Sequence, residues 1–582
     1  MSFFEYRDFE QRTLANDYIS ILQSTTNLFT GSDIDINANQ ENFTWKILSG
    51  EDIGYSGLSG SHDEFYGEVL ALLTSQVNIL GKYDDNGKLV GLGINFWGTG
   101  AAADDPLGWL HLLVDGAVDI AIGLGESGLS NGYILTAFNN LLTHVAEFAT
   151  ENGLTGRDVL ITGHSMGGMG VNSMAAASSQ GAWGGFYESS AYIGSASPTQ
   201  NQLDDKVLNI GLENDPVFRV LEGDDITWDS ALAHDKSLPG CSNNLIAFND
   251  YYTQGHIFSL LNVTDWQYGH DMNWYINAVN TIMNSASYNY MDLDSTIITA
   301  QLSDELRTTT WVEDINHDAR SHTGPTFILG SEKADLISGG AGIDYLEGFT
   351  GDDTFRDAGS SNIIFGGDGY DLFDLQSEIS KTSVAQSVTG MTFIKGADGG
   401  ITLLQDVEAI RETYWEWFQT RTITYEITCR GLEVDDNVAL GYANAVHGSM
   451  TGQASEIFAP QDGGFYTNTT SWLFSYNGDT IMHGSTTDDV FICGIGNDQM
   501  YANGGSDTFL FASDNFGHNA IYGFGSDDQI VILANKETTA NSSWLDYLSE
   551  DSDGLMFSCG ESSVSLVGLS LDQVHENQFV LA

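Results

Sequence analysis

Apolar and polar residues alternate along this chain in three rhythms, and each predicts a different kind of element. Val159-Leu160-Ile161 is a short unbroken apolar run, as a strand buried on both faces requires, and Val207 to Gly211 is strand-like in the same way. Beyond the first run, Val171 and Met174 to Ala177 have the small-residue character of a packed helix. Thr422-Ile423-Thr424-Tyr425-Glu426-Ile427 alternates with period two, which predicts a strand with one wet face. The third rhythm has a period of nine. From Gly330 the chain reads GSEKADLIS, GGAGIDYLE, GFTGDDTFR, DAGSSNIIF, GGDGYDLFD, and from Gly484 GSTTDDVFI, CGIGNDQMY, ANGGSDTFL. Ile337, Leu346, Phe355, Ile364 and Phe373 recur at the eighth position of successive turns.

The nine-residue units follow the calcium-binding nonapeptide pattern of a parallel β-roll. Glycines turn tightly and present carbonyls, the sixth-position Asp335, Asp344, Asp353 and Asp371 supply carboxylates, and the eighth-position residues fill a thin core. Asp489, Asp498 and Asp507 repeat the arrangement. With the carbonyls of Gly340, Gly342, Gly351, Gly369, Gly494 and Gly496 they form a hard-oxygen donor set suited to several Ca2+ ions. A flexible Gly/Asp linker would not keep an apolar residue in phase through turn after turn. Asn362 replaces an aspartate and Cys493 a glycine, which predicts weak or empty positions there. The two blocks divide the chain into an α/β region (1–320), a first roll (321–375), an intervening antiparallel β region (376–470) and a second roll with a C-terminal β segment (471–582).

The run from Val159 continues into Thr162-Gly163-His164-Ser165-Met166-Gly167-Gly168, a Gly-x-Ser-x-Gly string between a strand and a helix. In a chain with 66 glycines such strings arise by accident, but those flanks make this one a nucleophile-elbow candidate. Ser165 would then project at a helix N-terminus, where the Met166 N–H can stabilise an oxyanion. Asp215 follows the strand-like Val207–Gly211, where a triad acid belongs, with a turn or Asp-Pro cap as the alternative. His234, His256, His270, His317 and His322 all follow Asp215, and the hydrolase order Ser, Asp, His admits each of them.

Eighty acidic residues against 19 basic ones give a net charge of −61, which excludes nonspecific nucleic-acid binding, disfavours anionic membranes and calls for bound cations. The four cysteines, Cys241, Cys429, Cys493 and Cys559, lie far apart in no metal-type spacing and read as free thiols. No basic-then-apolar leader opens the sequence, and no apolar run reaches the length of a membrane span. Within 101–125, the run Pro106 to Val114 followed by Asp115 and Asp119 predicts a mobile helix acting as a lid.

The elbow with its continuation Asn172-Ser173-Met174-Ala175, the downstream Ala196-Ser197-Pro198-Thr199-Gln200, Lys206-Val207-Leu208-Asn209-Ile210-Gly211 and Glu213-Asn214-Asp215-Pro216-Val217-Phe218-Arg219, and the repeats together resemble the family I.3 bacterial lipases of Pseudomonas and Serratia type. The resemblance implies an α/β-hydrolase catalytic domain followed by an all-β region with two parallel β-roll blocks. It makes Ser165 the nucleophile, Asp215 the acid and His270 the base, with His256 the rival. It draws the second oxyanion donor from Gly98 or Thr99, although Trp97 stands where the family has arginine. It implies a lid calcium at Thr74, Gln76, Asp115 and Asp119, with Gly100 in place of a serine. A second ion would lie at the Leu238 and Cys241 carbonyls with Asn243, Asn244 and Asp294, weakened because Asn243 replaces an aspartate. The function implied is that of a secreted, monomeric, calcium-dependent serine lipase acting on triacylglycerols and related esters at an oil–water interface. Export would use a type I secretion transporter reading a C-terminal signal at Glu576 and Phe579 to Ala582. An esterase, phospholipase A1 or polyester hydrolase of the same fold is the nearer alternative, and a non-catalytic calcium-binding RTX adhesin the more distant one.

Overall fold

The apolar runs of the first half assemble, in a computed structural model of the chain, into a single sheet buried on both faces. The structure describes residues 11–30, 35–72, 75–98, 129–200, 206–213, 215, 217–218, 241–252, 269–291, 295–315, 325–340, 342–357, 359, 361–416, 419–443, 445–460, 470–533 and 543–581. Strands β1 (Phe43–Ile47), β2 (Gln76–Asp84) and β3 (Leu89–Phe96) pair antiparallel. From β3 onward, β4 (Val159–His164), β5 (Ala191–Ser195), β6 (Leu208–Leu212), β7 (Cys241–Phe248) and β8 (Thr296–Ala300) add in parallel, in chain order. Helices α1 (Gln11–Thr30), α2 (Leu129–Glu151), α3 (Met166–Ser179) and α4 (Met272–Asn284) cover it.

Successive β4 residues explain the unbroken run. Leu160 joins the core under α1 and α4, with Tyr18, Leu22, Tyr275 and Val279, whereas Val159 and Ile161 join the core under α2 and α3, with Phe138, Leu142 and Met174. A strand covered on both sides must be apolar at every position.

The sheet does not stop at β8. Strand β9 (Thr326–Ser331), the first of the nonapeptide region, pairs with β8 in parallel, Ile297 opposite Phe327 and Ile298 opposite Ile328. Asp344–Phe349, Asn362–Phe365 and Ile401–Gln405 follow, within one sheet of 15 strands. Leu336–Ser338, Thr354–Arg356 and Leu372–Leu375 form the facing sheet, so one coil takes two nonapeptides. Ile328, Ile337, Leu346, Phe355, Ile364 and Phe373, nine residues apart, fill the space between the sheets. In the second roll Leu473, Met482, Phe491, Met500 and Phe509 keep the same spacing before it widens to Ile521. The buried Trp472 ties this roll to the first through an indole N–H donated to Ser383 Oγ (2.9 Å).

The antiparallel reading of 376–470 holds for Ser383–Gln386, Thr392–Lys395 and Ile401–Gln405, and for Ala409–Glu416 through Asn437–Leu440. It does not hold throughout. Ile401–Gln405 and Ala409–Glu416 also extend the first roll in parallel, and Ala445–His447 and Ser455–Phe458 pair in parallel with Ser471–Phe474 and Thr480–His483. These turns keep the inward apolar residue (Leu404, Ile410, Ile457) but not the aspartate. The Glu408 carboxylate accepts the Asp371 N–H (2.7 Å), and a Ser455–Thr480 hydroxyl pair (3.1 Å) stands where carboxylates stand in other turns.

Candidate active site

Ser165 joins the end of β4 to the start of α3 with φ +60° and ψ −125°, a conformation a non-glycine residue holds only where its surroundings force it. The neighbouring glycines show what forces it. A Cβ on Gly163 would lie 2.5 Å from the Gly167 carbonyl, and one on Gly167 would lie 2.1 Å from the Phe96 oxygen. Strand, helix and the end of β3 are therefore in backbone contact around the serine, and its N–H donates to the Ser195 carbonyl (3.0 Å).

Asp215, fully buried just beyond β6, receives the Val217 N–H on Oδ1 (2.8 Å). Its Oδ2 accepts from the Tyr275 hydroxyl (2.6 Å) and faces His270 Nδ1 (2.9 Å), and His270 Nε2 lies 2.8 Å from Ser165 Oγ. Since the carboxylate can only accept, Nδ1 carries the proton and the Nε2 lone pair faces the serine hydroxyl. The three residues arrive from the ends of β4 and β6 and from the turn before α4.

Two further side chains belong to this row. His164 packs its ring 4.9 Å from that of His270, with Nε2 2.9 Å from the His270 carbonyl and Nδ1 3.3 Å from Ser195 Oγ. Burial, reinforced by the nearby His270, pushes its pKa down to about 3, so it stays neutral and donates to that carbonyl. Burial, together with the Asp215 carboxylate, raises the Tyr275 phenol well above its ordinary range and keeps it a donor. In the sequence His164 is only the variable residue of the elbow, and Tyr275 belongs to no motif. The available signal was a tyrosine in the buried stripe of α4 with Ile276, Val279 and Ile282, since a buried phenol needs a partner.

Gly98 lies against Ser165: a Cβ there would meet the His164 carbonyl at 3.0 Å and Ser165 Cβ at 3.2 Å. The Trp97 N–H is engaged by the Gln76 carbonyl (2.9 Å), and Met166 heads α3. Thr99 and Gly100, the lid at 101–125 with Asp115 and Asp119, Thr74, Leu238, Asp294 and the rival His256 lie outside the described residues. Gln76 opens β2. Cys241, Asn243 and Asn244 lie on β7, whose register with β6 shifts between Ile210 and Leu212.

In the rolls each aspartate hydrogen-bonds along the coil axis. Oδ1 of Asp353 accepts the Asp335 N–H (2.7 Å), that of Asp371 the Asp353 N–H (2.8 Å), that of Asp498 the Thr480 N–H (2.8 Å) and that of Asp507 the Asp489 N–H (2.8 Å). The Oδ2 atoms of Asp353, Asp371 and Asp507 are buried with no hydrogen-bond partner among the described residues. Burial first, then neighbouring carboxylates, push Asp353 and Asp507 up to about 8 and Asp371 to about 6. Glycine leaves room beside these oxygens, for a Cβ on Gly348 would come within 2.2 Å of Asp353 Oδ2, and one on Gly366 within 2.7 Å of Asp371 Oδ2. Unpaired carboxylate oxygens in glycine-lined cradles fit a hard divalent cation.

Other turns differ. Asn362 Oδ1 accepts the Asp344 N–H (2.9 Å), but the other end of this side chain is an amide nitrogen where an aspartate has its second oxygen. The Asp335 carboxylate is paired with the Arg307 guanidinium and the Ser331 hydroxyl (2.8 Å). Asp344 Oδ2 accepts the Gly340 N–H (2.7 Å), Asp489 the Ser485 hydroxyl (3.0 Å) and Asp498 the Ser475 hydroxyl (2.6 Å). Gly342, Gly351, Gly369, Gly494 and Gly496 sit in the turns between coils.

The RTX calcium-binding nonapeptide repeat (four copies) matches residues 329–356, 338–373 and 474–509. Two lipases of Pseudomonas fluorescens are 42% identical over 292 residues and 41% identical over 285 residues, matching 50% and 48% of this chain. The chain spans about three fifths of the length of these curated relatives, 60% and 62%. The crystal structure of the extracellular lipase LipA from Serratia marcescens superposes with a TM-score of 0.84 at 35% identity, covering 100% of both chains.

Proposed function

The chain belongs to the family I.3 lipases, and on that footing we propose that it is a secreted, calcium-dependent serine hydrolase whose principal substrates are triacylglycerols. The observation that carries this reading is the unbroken line from Ser165 Oγ through His270 to Asp215, at 2.8 and 2.9 Å. Ser165 attacks the ester carbonyl while His270 Nε2 takes its proton and passes it to the leaving alcohol. Water then resolves the acyl-enzyme by the same route. Asp215 holds the tautomer, and its buried charge favours the imidazolium that forms. The oxyanion is received by the Met166 N–H and by a donor from the Gly98–Thr99 stretch, whose closeness to Ser165 supports that role.

Calcium supplies positive charge to the carboxylate rows of Asp344, Asp353, Asp371, Asp489, Asp498 and Asp507, with carbonyls of the turn glycines completing the ligands. We assign the lid at 101–125 to gating of the cleft, and the residues matched to the two hydrolase-domain calcium ions to those sites. The division at about 320, 375 and 470 becomes one between catalysis and a scaffold that folds after export through a type I transporter. Among the described residues no helix is long and apolar enough to cross a membrane.

An organophosphate should label Ser165 stoichiometrically, and hydrolysis across esters of rising acyl length should favour emulsified long-chain triacylglycerols. Labelling with activity confined to short soluble esters would move the assignment to an esterase. No labelling would leave a calcium-binding adhesin.

A further inference from the structure

The residues of the Ser165 row are held in two different ways. Ser165 and Asp215 lie at or just beyond the ends of strands, whereas His270 stands off the sheet, in the turn before α4. Asp215 fixes the rotation of the His270 ring through Nδ1, but the reach of Nε2 to Ser165 also depends on where the His270 backbone lies. That backbone is tied to the sheet at its carbonyl, which faces His164 Nε2 (2.9 Å). His164 ends β4, one position before Ser165, and its ring also packs against the rings of His270 (4.9 Å) and Tyr275 (5.1 Å).

The hydrogens of His164 follow from its partners. A carbonyl only accepts, so Nε2 carries the proton, and the ring, kept neutral by burial, leaves a lone pair on Nδ1. Ser195 Oγ lies 3.3 Å from that nitrogen and donates to it, the Gly163 carbonyl being the more distant acceptor for the same hydroxyl (3.4 Å). Ser195 ends β5 directly opposite His164 in the strand register, and its own carbonyl accepts the Ser165 N–H (3.0 Å). The next residue, Ala196, is fully buried with φ +51°, a left-handed backbone that a non-glycine residue keeps only where its surroundings force it. Ser195 thus reaches Ser165 through its carbonyl and His270 through its hydroxyl and His164.

We propose that Ser195 and His164 are positioning residues that set the distance between Ser165 and His270, through a circuit separate from Asp215: Ser195 hydroxyl to His164 Nδ1, and His164 Nε2 to the His270 carbonyl. The proton on His164 Nε2 stays in place throughout turnover. The inference rests on Ser165, His270 and Asp215 being the catalytic triad. It gives the variable residue of the elbow a specific requirement, a neutral side chain that donates at one end and accepts at the other.

The test compares two substitutions in the full-length, calcium-loaded protein. His164→Phe keeps a ring against His270 and Tyr275 but can neither donate nor accept, whereas His164→Gln can do both. On a short soluble ester, His164→Phe should lower kcat about a hundredfold with KM changed less than about twofold, as for a small displacement of a reacting group, and His164→Gln should recover at least about tenfold of that loss. Ser195→Ala, which removes a single oxygen, should lower kcat about tenfold in the parent and add almost nothing in the His164→Phe background, because it acts through His164. A His164→Phe variant within about threefold of the parent, no recovery with His164→Gln, or a Ser195→Ala loss that adds in full to that of His164→Phe would overturn the proposal. Ser165→Ala run alongside separates the two readings. If it stays active the triad itself is refuted, whereas an inactive Ser165→Ala beside a fully active His164→Phe removes the positioning circuit alone.

Discussion

Four aspartates of this molecule are buried to the same degree and meet opposite fates. Asp215 is 0% exposed and both its oxygens are matched, by the Val217 N–H on one side and by Tyr275 and His270 on the other. Asp353, Asp371 and Asp507 are 1%, 0% and 0% exposed, and each keeps one oxygen without a partner among the described residues. The hydrolase sheet thus builds its reactive geometry from groups the chain itself supplies, whereas the coils need a charge from outside. Burial alone does not set the behaviour of a carboxylate; its hydrogen-bond complement does.

The most direct way to break this comparison is at the serine. Ser165→Ala should lower kcat by about four to six orders of magnitude while the melting curve of the calcium-loaded protein stays unchanged. Residual activity within tenfold of the parent would remove the triad from the account. The counterpart for the coils is calcium itself: chelation should abolish much of the parallel β signal in circular dichroism, and added calcium should restore it. An unchanged spectrum would mean that the unmatched oxygens are satisfied by other means.

Acidity sharpens the contrast further. Asp353 and Asp507 titrate near 8 in the folded coil against an ordinary value of 3.8, so without calcium the fold binds protons more tightly than the unfolded chain does. The stability this confers is complete below about pH 4 and is lost as the pH rises through about 8. Calcium-free protein should therefore show more β structure at pH 5 than at pH 8, and calcium binding at pH 7 should release protons, measurable as a buffer-dependent heat. Proton uptake, or a coil most stable at high pH, would contradict this. The smallest effect is expected at Tyr275, where Tyr275→Phe removes one of the donors holding Asp215. It should lower kcat about tenfold with little change in KM, as for loss of a single hydrogen bond to a charged group. A change in KM alone would place Tyr275 in substrate binding.

Much of this was legible because some residues tolerate no alternative. Gly163 and Gly167 mark the elbow, since any side chain there strikes backbone, and the nine-residue phase of Ile337, Leu346 and Phe355 marks the coil. The histidine that pairs with Ser165 was not legible from spacing, because nine histidines follow Asp215, five of them ahead of the nonapeptides, and only tertiary packing brings Nε2 of His270 to Ser165. Nor were the coil turns at Ala445–His447 and Ser455–Phe458, where hydroxyls replace carboxylates and the motif vanishes while its geometry persists. The supports at His164 and Tyr275 escaped because a core position looks the same in sequence whether or not its polar tip is used.

The pairing of β8 with β9 has a consequence for solubility. An open sheet ends in a row of unmet backbone donors and acceptors that will template any strand it meets, another copy of the chain included. Here the first coil occupies that row on β8, and further strands carry the sheet on to Ser383–Gln386, beside which Trp472 of the second roll donates to Ser383. A hydrolase half cut off near residue 320 would regain a bare apolar margin at Ile297 and Ile298. It should then self-associate in light scattering at concentrations where the whole chain stays dispersed, so the coils act as a guard against aggregation.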